Sequence, residues 1–477
     1  MRQPPDAQAA QGDAAQEGNA QGAAAVADGL PAPRRHVAVL AVSLGSIVTT
    51  VDGGIVNVAL PTLARDLQVA PSEAVLIVTA YQLMLMMSLL PLSALGDRFG
   101  QRRVYQTGLS VFVLATMLCF FAKSLPLLVA VRSVQALGAA AALSVSSALI
   151  RSIYPSSRLG RGLSFNTVIA ASAASLAPTL GGALLGLADW PWLFVSLAPF
   201  GLLSLLIGRK ALPESPTRNE PYDLRGALMC AAMFGLVIAG LESAVHGGSL
   251  PVSALLVGVG AAVGFVFVRR ELGQARPVFP VDLLKHRKIT LSALGLLAAY
   301  IGYMVLMLSL PFRLQQQFHF TPAETGIVLA PWPLIIMFAA PISGMLSDRV
   351  PAGLLGGAGM LIAMIGLVSF TFLPDAPSHL DIIWRISFCG LGFGMFFSPN
   401  SRQIIGGAPM ERAAAAGALT STTRGTGQTL GATAVATLLA SGIGLGSAPP
   451  LISAGLALLA CLCTLATLGG RDRLDEI

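Results

Sequence analysis

Ser93-Ala-Leu-Gly-Asp-Arg-Phe-Gly-Gln-Arg-Arg103 sets one acid and three arginines between two long apolar segments. About 250 residues later a shorter copy, Ser343-Gly-Met-Leu-Ser-Asp-Arg349, again closes an apolar segment. A charged loop repeated between hydrophobic helices predicts a duplicated polytopic membrane protein, because short polar loops and long apolar helices are the units from which helical membrane proteins are built.

Composition supports this at the scale of the whole chain. Charged residues make up only 11% and hydrophobic residues 54%, whereas soluble domains carry roughly 25% charge. The mean hydropathy is +0.73. The apolar residues fall into runs of roughly 20, the length of helix that crosses a bilayer core. They predict fourteen spans between Val37 and Leu468, in an all-α polytopic fold. With the N-terminus inside, 24 of the 30 basic residues fall in cytoplasmic segments, three in external loops (Arg65, Lys123, Arg313) and three within spans (Arg132, Arg385, Arg424). That asymmetry follows the positive-inside rule. It predicts both termini in the cytoplasm of a bacterial inner or plasma membrane, and it accounts for the net charge of +7 without a nucleic-acid partner.

The expected organisation is a disordered cytoplasmic tail over 1–36, a six-helix half over 37–210, linkers with two inserted helices over 211–288, a second six-helix half over 289–470, and a short cytoplasmic tail over 471–477. The start lacks the compact arrangement of a signal peptide. Cys119, Cys230, Cys389, Cys461 and Cys463 all fall in spans, with no disulfide framework and no metal-ligand spacing. The five histidines are scattered, and no phosphate loop is present. No cofactor and no metal are expected, which leaves an ion gradient as the energy source, and no catalytic constellation suggests an enzyme.

Charges within hydrocarbon are costly, so each embedded one is a functional candidate. Asp52, two-thirds along the first span, is the sharpest: a buried acid near a cation can exchange protons, or form a static pair. Arg132 in the fourth span is its natural counter-charge. Arg385 and Glu242 lie near external span ends, where snorkelling to the interface is expected. Arg424 sits mid-span, between cavity lining and packing. Pro178, Gly181 and Gly182 combine a kink with sites of close helix approach, forming either a gating seam between halves or a plain packing contact. Asp97, Arg98 and Arg102, echoed by Asp348 and Arg349, suit a gating latch, since a topology signal alone needs no aspartate.

At these residues the chain resembles the major facilitator superfamily, and within it the fourteen-helix drug:proton antiporter branch. Leu95, Gly96, Asp97, Arg98, Gly100 and Arg102 match its charged-loop motif. Asp52, Ile55, Val56, Asn57, Val58, Ala59, Leu60 and Pro61 match its first span. Arg132, Gln135, Gly138 and Ala139 match its fourth, and Pro178, Gly181 and Gly182 its antiporter signature. Gly54 and Leu76 depart from the branch's threonine and tryptophan. The resemblance implies two six-helix halves plus two inserted helices, and proton-coupled multidrug efflux by alternating access. Asp52 and Arg132 would serve coupling, with Asn57, Gln135 and Arg424 at the substrate cavity. The implied partners are protons, an amphiphilic small molecule and the lipid bilayer, with the chain a monomer and a periplasmic adaptor left open. The alternatives are a dedicated exporter of one metabolite or antibiotic, and a non-transporting receptor or scaffold.

Overall fold

A computed structural model describes residues 29–155, 158–214, 223–273, 281–409 and 412–469. Residues 1–28 of the expected tail over 1–36, the whole expected tail over 471–477, and parts of the linkers lie outside the described residues. The described residues contain helices and no strand. This follows from the sequence: in hydrocarbon a single segment can satisfy its backbone only as a helix.

The long helices are α1 (Ala32–Asp66), α2 (Leu76–Phe99), α3 (Gln101–Cys119), α4 (Leu125–Ile153), α5 (Leu159–Leu187), α6 (Ala198–Ala211), α7 (Leu224–Val245) and α8 (Leu250–Leu272). They continue with α9 (Arg287–Phe312), α10 (Pro322–Leu329), α11 (Pro331–Leu346), α12 (Ala352–Ser369), α13 (His379–Gly406), α14 (Ala413–Ala440) and α15 (Ala448–Ala466). Each of the fourteen expected spans is helical, but only eleven among the described residues are long and apolar enough to cross a membrane on composition alone. The shortfall has a chemical reason. Helix α3 opens on Gln101-Arg-Arg103, and α14 is rich in threonine and glycine, so neither has the hydropathy of its neighbours; the third, α5, counts only as a shorter apolar helix over Ser172–Leu187.

Helix α1 begins at Ala32 behind Pro31, so Arg34 to His36 belong to the helix and not to a tail. Arg34 Nε donates to the carbonyl of Ala211 at 3.2 Å, pinning this end to the end of α6. We call the side carrying the start of α1 and the end of α15 the terminal end, and the opposite side the distal end.

The buried apolar residues form two cores, one from α1–α6 and one from α9–α15. The pair α7–α8 packs on itself and touches α2 and α14. In both halves helices meet through bare backbone. A Cβ on Gly138 of α4 would lie 2.5 Å from the Phe112 nitrogen of α3, and one on Gly392 of α13 would lie 2.3 Å from the Ala363 nitrogen of α12. Small residues let helices in a membrane approach until dispersion forces and packing hold them.

The halves join between mid-height and the distal end. Met304, Val305, Leu308 and Phe312 of α9 enter the first core, and Val58 of α1 enters the second. Gln315 donates to the carbonyl of Val58 at 2.9 Å. At mid-height Thr426 of α14 meets Met86 of α2 at 3.3 Å, and Ser172 of α5 meets Met337 of α11 at 3.1 Å.

Candidate functional site

Asp52 is 0% exposed, held within the α1–α6 bundle. Arg132, 1% exposed, reaches it from α4 with one guanidinium nitrogen 2.8 and 2.7 Å from the two carboxylate oxygens. Gln135, one helical turn further along α4, donates to Asp52 at 3.0 Å and to Thr116 of α3 at 2.7 Å, while its carbonyl accepts from Arg132 at 2.7 Å. The spacing of three places both side chains on one face of α4. The Arg132 guanidinium lies 4.1 Å from the ring centre of Tyr81, with the Phe194 ring at 5.3 Å. Cation, carboxylate, amide and aromatic faces thus form one dry knot. Gln135, expected at the substrate cavity, instead belongs to this knot, because 0% exposure leaves it no face toward a cavity.

Asn57 lies five residues toward the distal end of α1, and its buried carbonyl oxygen has no hydrogen-bond partner. Arg424 is exposed at mid-helix in α14, with Tyr300 of α9 nearby. Tyr300 stacks on Phe397 at 4.4 Å, with the rings 14° apart. Trp332 stacks on Phe393 at 5.5 Å, and Tyr303 stands edge-on to Trp332 at 5.2 Å. These aromatic residues were not among the expected site residues. Their signal was present in the spacing: Tyr300 and Tyr303, and Phe393 and Phe397, each share a helix face.

The expected seam lies across the two halves. A Cβ on Gly182 of α5 would fall 2.5 Å from the Pro322 carbonyl of α10, and one on Gly326 would fall 2.6 Å from the Pro178 carbonyl. Gly181 faces the other way, onto Ile55 of α1. Helix α10 starts in a capping box: Thr321 N–H donates to the Glu324 carboxylate at 2.8 Å, and the Glu324 N–H donates to the Thr321 hydroxyl at 3.2 Å.

At the terminal end Asp97 and Arg98 are exposed at the close of α2. Gly100, at φ +96°, makes the turn into α3, a conformation other residues rarely adopt. Arg102 donates to the carbonyl of Arg209, tying this loop to α6 of the same half. Asp348 pairs with Arg402 of α13 and not with its neighbour Arg349. Arg402 was not selected from the sequence, since only the fold brings it to this loop.

Two embedded charges depart from the snorkelling expectation. Arg385 is buried and donates to the carbonyls of Ser369 at 3.0 Å and Asp381 at 2.5 Å, capping the end of α12. Glu242 is 9% exposed and accepts from Thr433 of α14 at 2.7 Å.

A family model, the Major Facilitator Superfamily, matches residues 42–432. The chain belongs to that superfamily. It is 43% identical over 415 residues to the uncharacterized transporter YebQ of Escherichia coli (strain K12), spanning 87% of this chain and 91% of that one. It is 28% identical over 402 residues to the riboflavin transporter RibZ of Clostridioides difficile (strain 630), over 83% and 87% of the two chains. To the multidrug resistance protein Stp of Mycobacterium tuberculosis it is 29% identical over 406 residues, over 84% and 75%. The crystal structure of a POT family transporter in complex with a thioalcohol-conjugated peptide shares the fold, with a TM-score of 0.69 at 15% identity over 91% of this chain and 95% of that one. The protein is a transporter and not an enzyme.

Proposed function

We propose that this transporter exports amphiphilic small molecules in exchange for protons, crossing the bilayer fourteen times with its terminal end in the cytoplasm. The observation that carries the reading is the Asp52–Arg132–Gln135 knot. A carboxylate sealed against a guanidinium is costly to assemble and costly to disrupt. Protonating Asp52 removes the charge that holds Arg132 and leaves the guanidinium to its aromatic neighbours. The bundle around α1 and α4 then has two arrangements of differing proton occupancy, which is what coupling to alternating access requires. Multidrug resistance among the relatives supports the cargo class.

In this reading the distal end faces outside, and the contact of Pro178 and Gly182 with Gly326 is a closed outer gate. Asp97, Arg98 and Arg102, with Asp348 and Arg349 on the other half, sit at the cytoplasmic mouth, where a latch would engage once the inner side closes. Asn57 and Arg424 face the path between. A second reading is a dedicated exporter of a flat aromatic compound. It is favoured by the Tyr300–Phe397 stack beside Arg424 and by the name of RibZ.

The test is proton movement in everted membrane vesicles challenged with ethidium and with riboflavin. The expected result is proton efflux on adding a cargo to energised vesicles, lost in Asp52→Asn. A response to riboflavin alone favours the dedicated exporter. Undiminished coupling in Asp52→Asn overturns the assignment of the knot, and no response to any cargo supports the scaffold reading.

A further inference from the structure

Glu242 in the last turn of α7 and His246, which caps that helix, lie outside the two six-helix halves, yet they are not on a lipid-facing stripe. The Glu242 carboxylate accepts from Thr433 of α14 at 2.7 Å, and α7 packs on both α2 and α14, with Thr79 of α2 near the carboxylate. One inserted helix therefore packs on the first half along α2 and is bonded to the second through Thr433, near the distal end of the α2–α14 contact. The other carboxylate oxygen, Oε2, has no hydrogen-bond partner and lies 3.5 Å from His246 Nδ1. That nitrogen is also 2.9 Å from the Glu242 carbonyl. Nδ1 faces only acceptors and so keeps its proton in both charge states of the ring, and the second proton belongs on Nε2, itself buried without a partner.

The surroundings leave this pair as the titratable unit. Helix α2 faces Glu242 with Thr79, its Tyr81 being turned onto Arg132. Helix α14 faces it with Thr433, and α8 packs on α7 through Ser253 and Ser243, 3.1 Å apart. Among the described residues, the ion-pair partner of Glu242 is His246. A neutral carboxylic acid can donate from the orphaned oxygen, whereas a carboxylate can only accept. A change of one proton thus changes how the carboxyl holds Thr433 of the second half and what its free oxygen offers to α2, on which α7 packs.

We propose that Glu242, with His246, is a second proton-binding site that clamps the inserted pair across both halves and biases closure of the distal end. The inserted helices are then a regulatory strut, not a passive addition. The gating part rests on the alternating-access reading above; the proton-binding part does not.

Two measurements on the full-length protein test it. Infrared difference spectra across about pH 4 to 9 follow the carbonyl stretch of protonated carboxyls. The expected result is a band present in the parent and in Asp52→Asn, and lost in Glu242→Gln. Spin labels on Lys123→Cys and Asp375→Cys, both exposed at the distal end, follow the gap between the halves in a Cys463→Ser background. The expected result is a pH-dependent distance that loses its response in Glu242→Gln, keeps it in Glu242→Asp, and shifts its midpoint in His246→Gln. Spectra of Glu242→Gln identical to the parent overturn the proton site. A pH response of the distance unchanged in Glu242→Gln overturns the clamp. A parent distance that answers neither to pH nor to ethidium defeats alternating access itself, and the infrared band still decides whether Glu242 holds a proton.

Discussion

At the scale of single residues, the decisive fact is that Asp52 and Arg132 are paired where water cannot replace either partner. A buried pair adds little net stability, but removing one member leaves the other charged and unsolvated, at a cost of about 3–5 kcal/mol. Arg132→Ala is therefore expected to lower the thermal midpoint strongly. In Asp52→Asn/Arg132→Gln the loss is expected to fall well below the sum of the two single losses, because no charge is stranded. Strict additivity in detergent melts would contradict the pairing. Both residues were legible in the sequence, since a charge within an apolar run is conspicuous. Gln135 was legible as well, but its role was not: an amide at helical spacing suits a cavity or a knot, and the difference lies in which side of α4 the neighbouring helices cover. Arg385 shows the same limit. It occupies in the second half a position resembling that of Arg132, yet it meets carbonyls at the end of α12 and the Asp381 carboxylate of its own helix, at 3.4 Å, instead of an acid on another helix.

At the scale of elements, glycine positions along α5 separate contact from clearance. A Cβ on Gly182 meets the Pro322 carbonyl at 2.5 Å, whereas one on Gly186, a turn further on, meets only the Ala323 Cβ at 3.7 Å. Gly182→Ala must push α5 from α10, with overpacking strain of about 1–3 kcal/mol, while Gly186→Ala makes an ordinary contact. The expected outcome is a proton leak into cargo-free vesicles for Gly182→Ala and none for Gly186→Ala. Equal leaks would remove the seam from the gate. The sequence marked Pro178, Gly181 and Gly182 together as one motif. The fold divides them, with Gly181 on α1 of the same half and Pro178 and Gly182 on the other half, because residues one apart on a helix point about 100° away from each other.

At the scale of the whole molecule, charge placement and helix connectivity make a joint prediction. If the terminal end is cytoplasmic, a membrane-impermeant maleimide labels Asp375→Cys in intact cells. Arg349→Cys is labelled only after permeabilisation, both in a Cys463→Ser background. The reverse pattern would invert the assignment of inner and outer gates. The segments that fall short in hydropathy, α3 and α14, belong to this scale too. They pack against other helices in the bundle, and a helix sheltered by its neighbours needs less apolar surface than one facing lipid on all sides.

The sequence by itself determined the helical spans, the duplicated charged loop, the likeness to transporters and the identity of the embedded acid and arginine. Those properties follow from hydropathy and motif spacing, which are local. Only the tertiary structure decided which groups meet: Asp52 with Arg132 across 80 residues, Glu242 with Thr433 across 191, and Asp348 with Arg402. Such pairings depend on the rotation and tilt of each helix against its neighbours, and these are set by packing many side chains at once and not by any one segment.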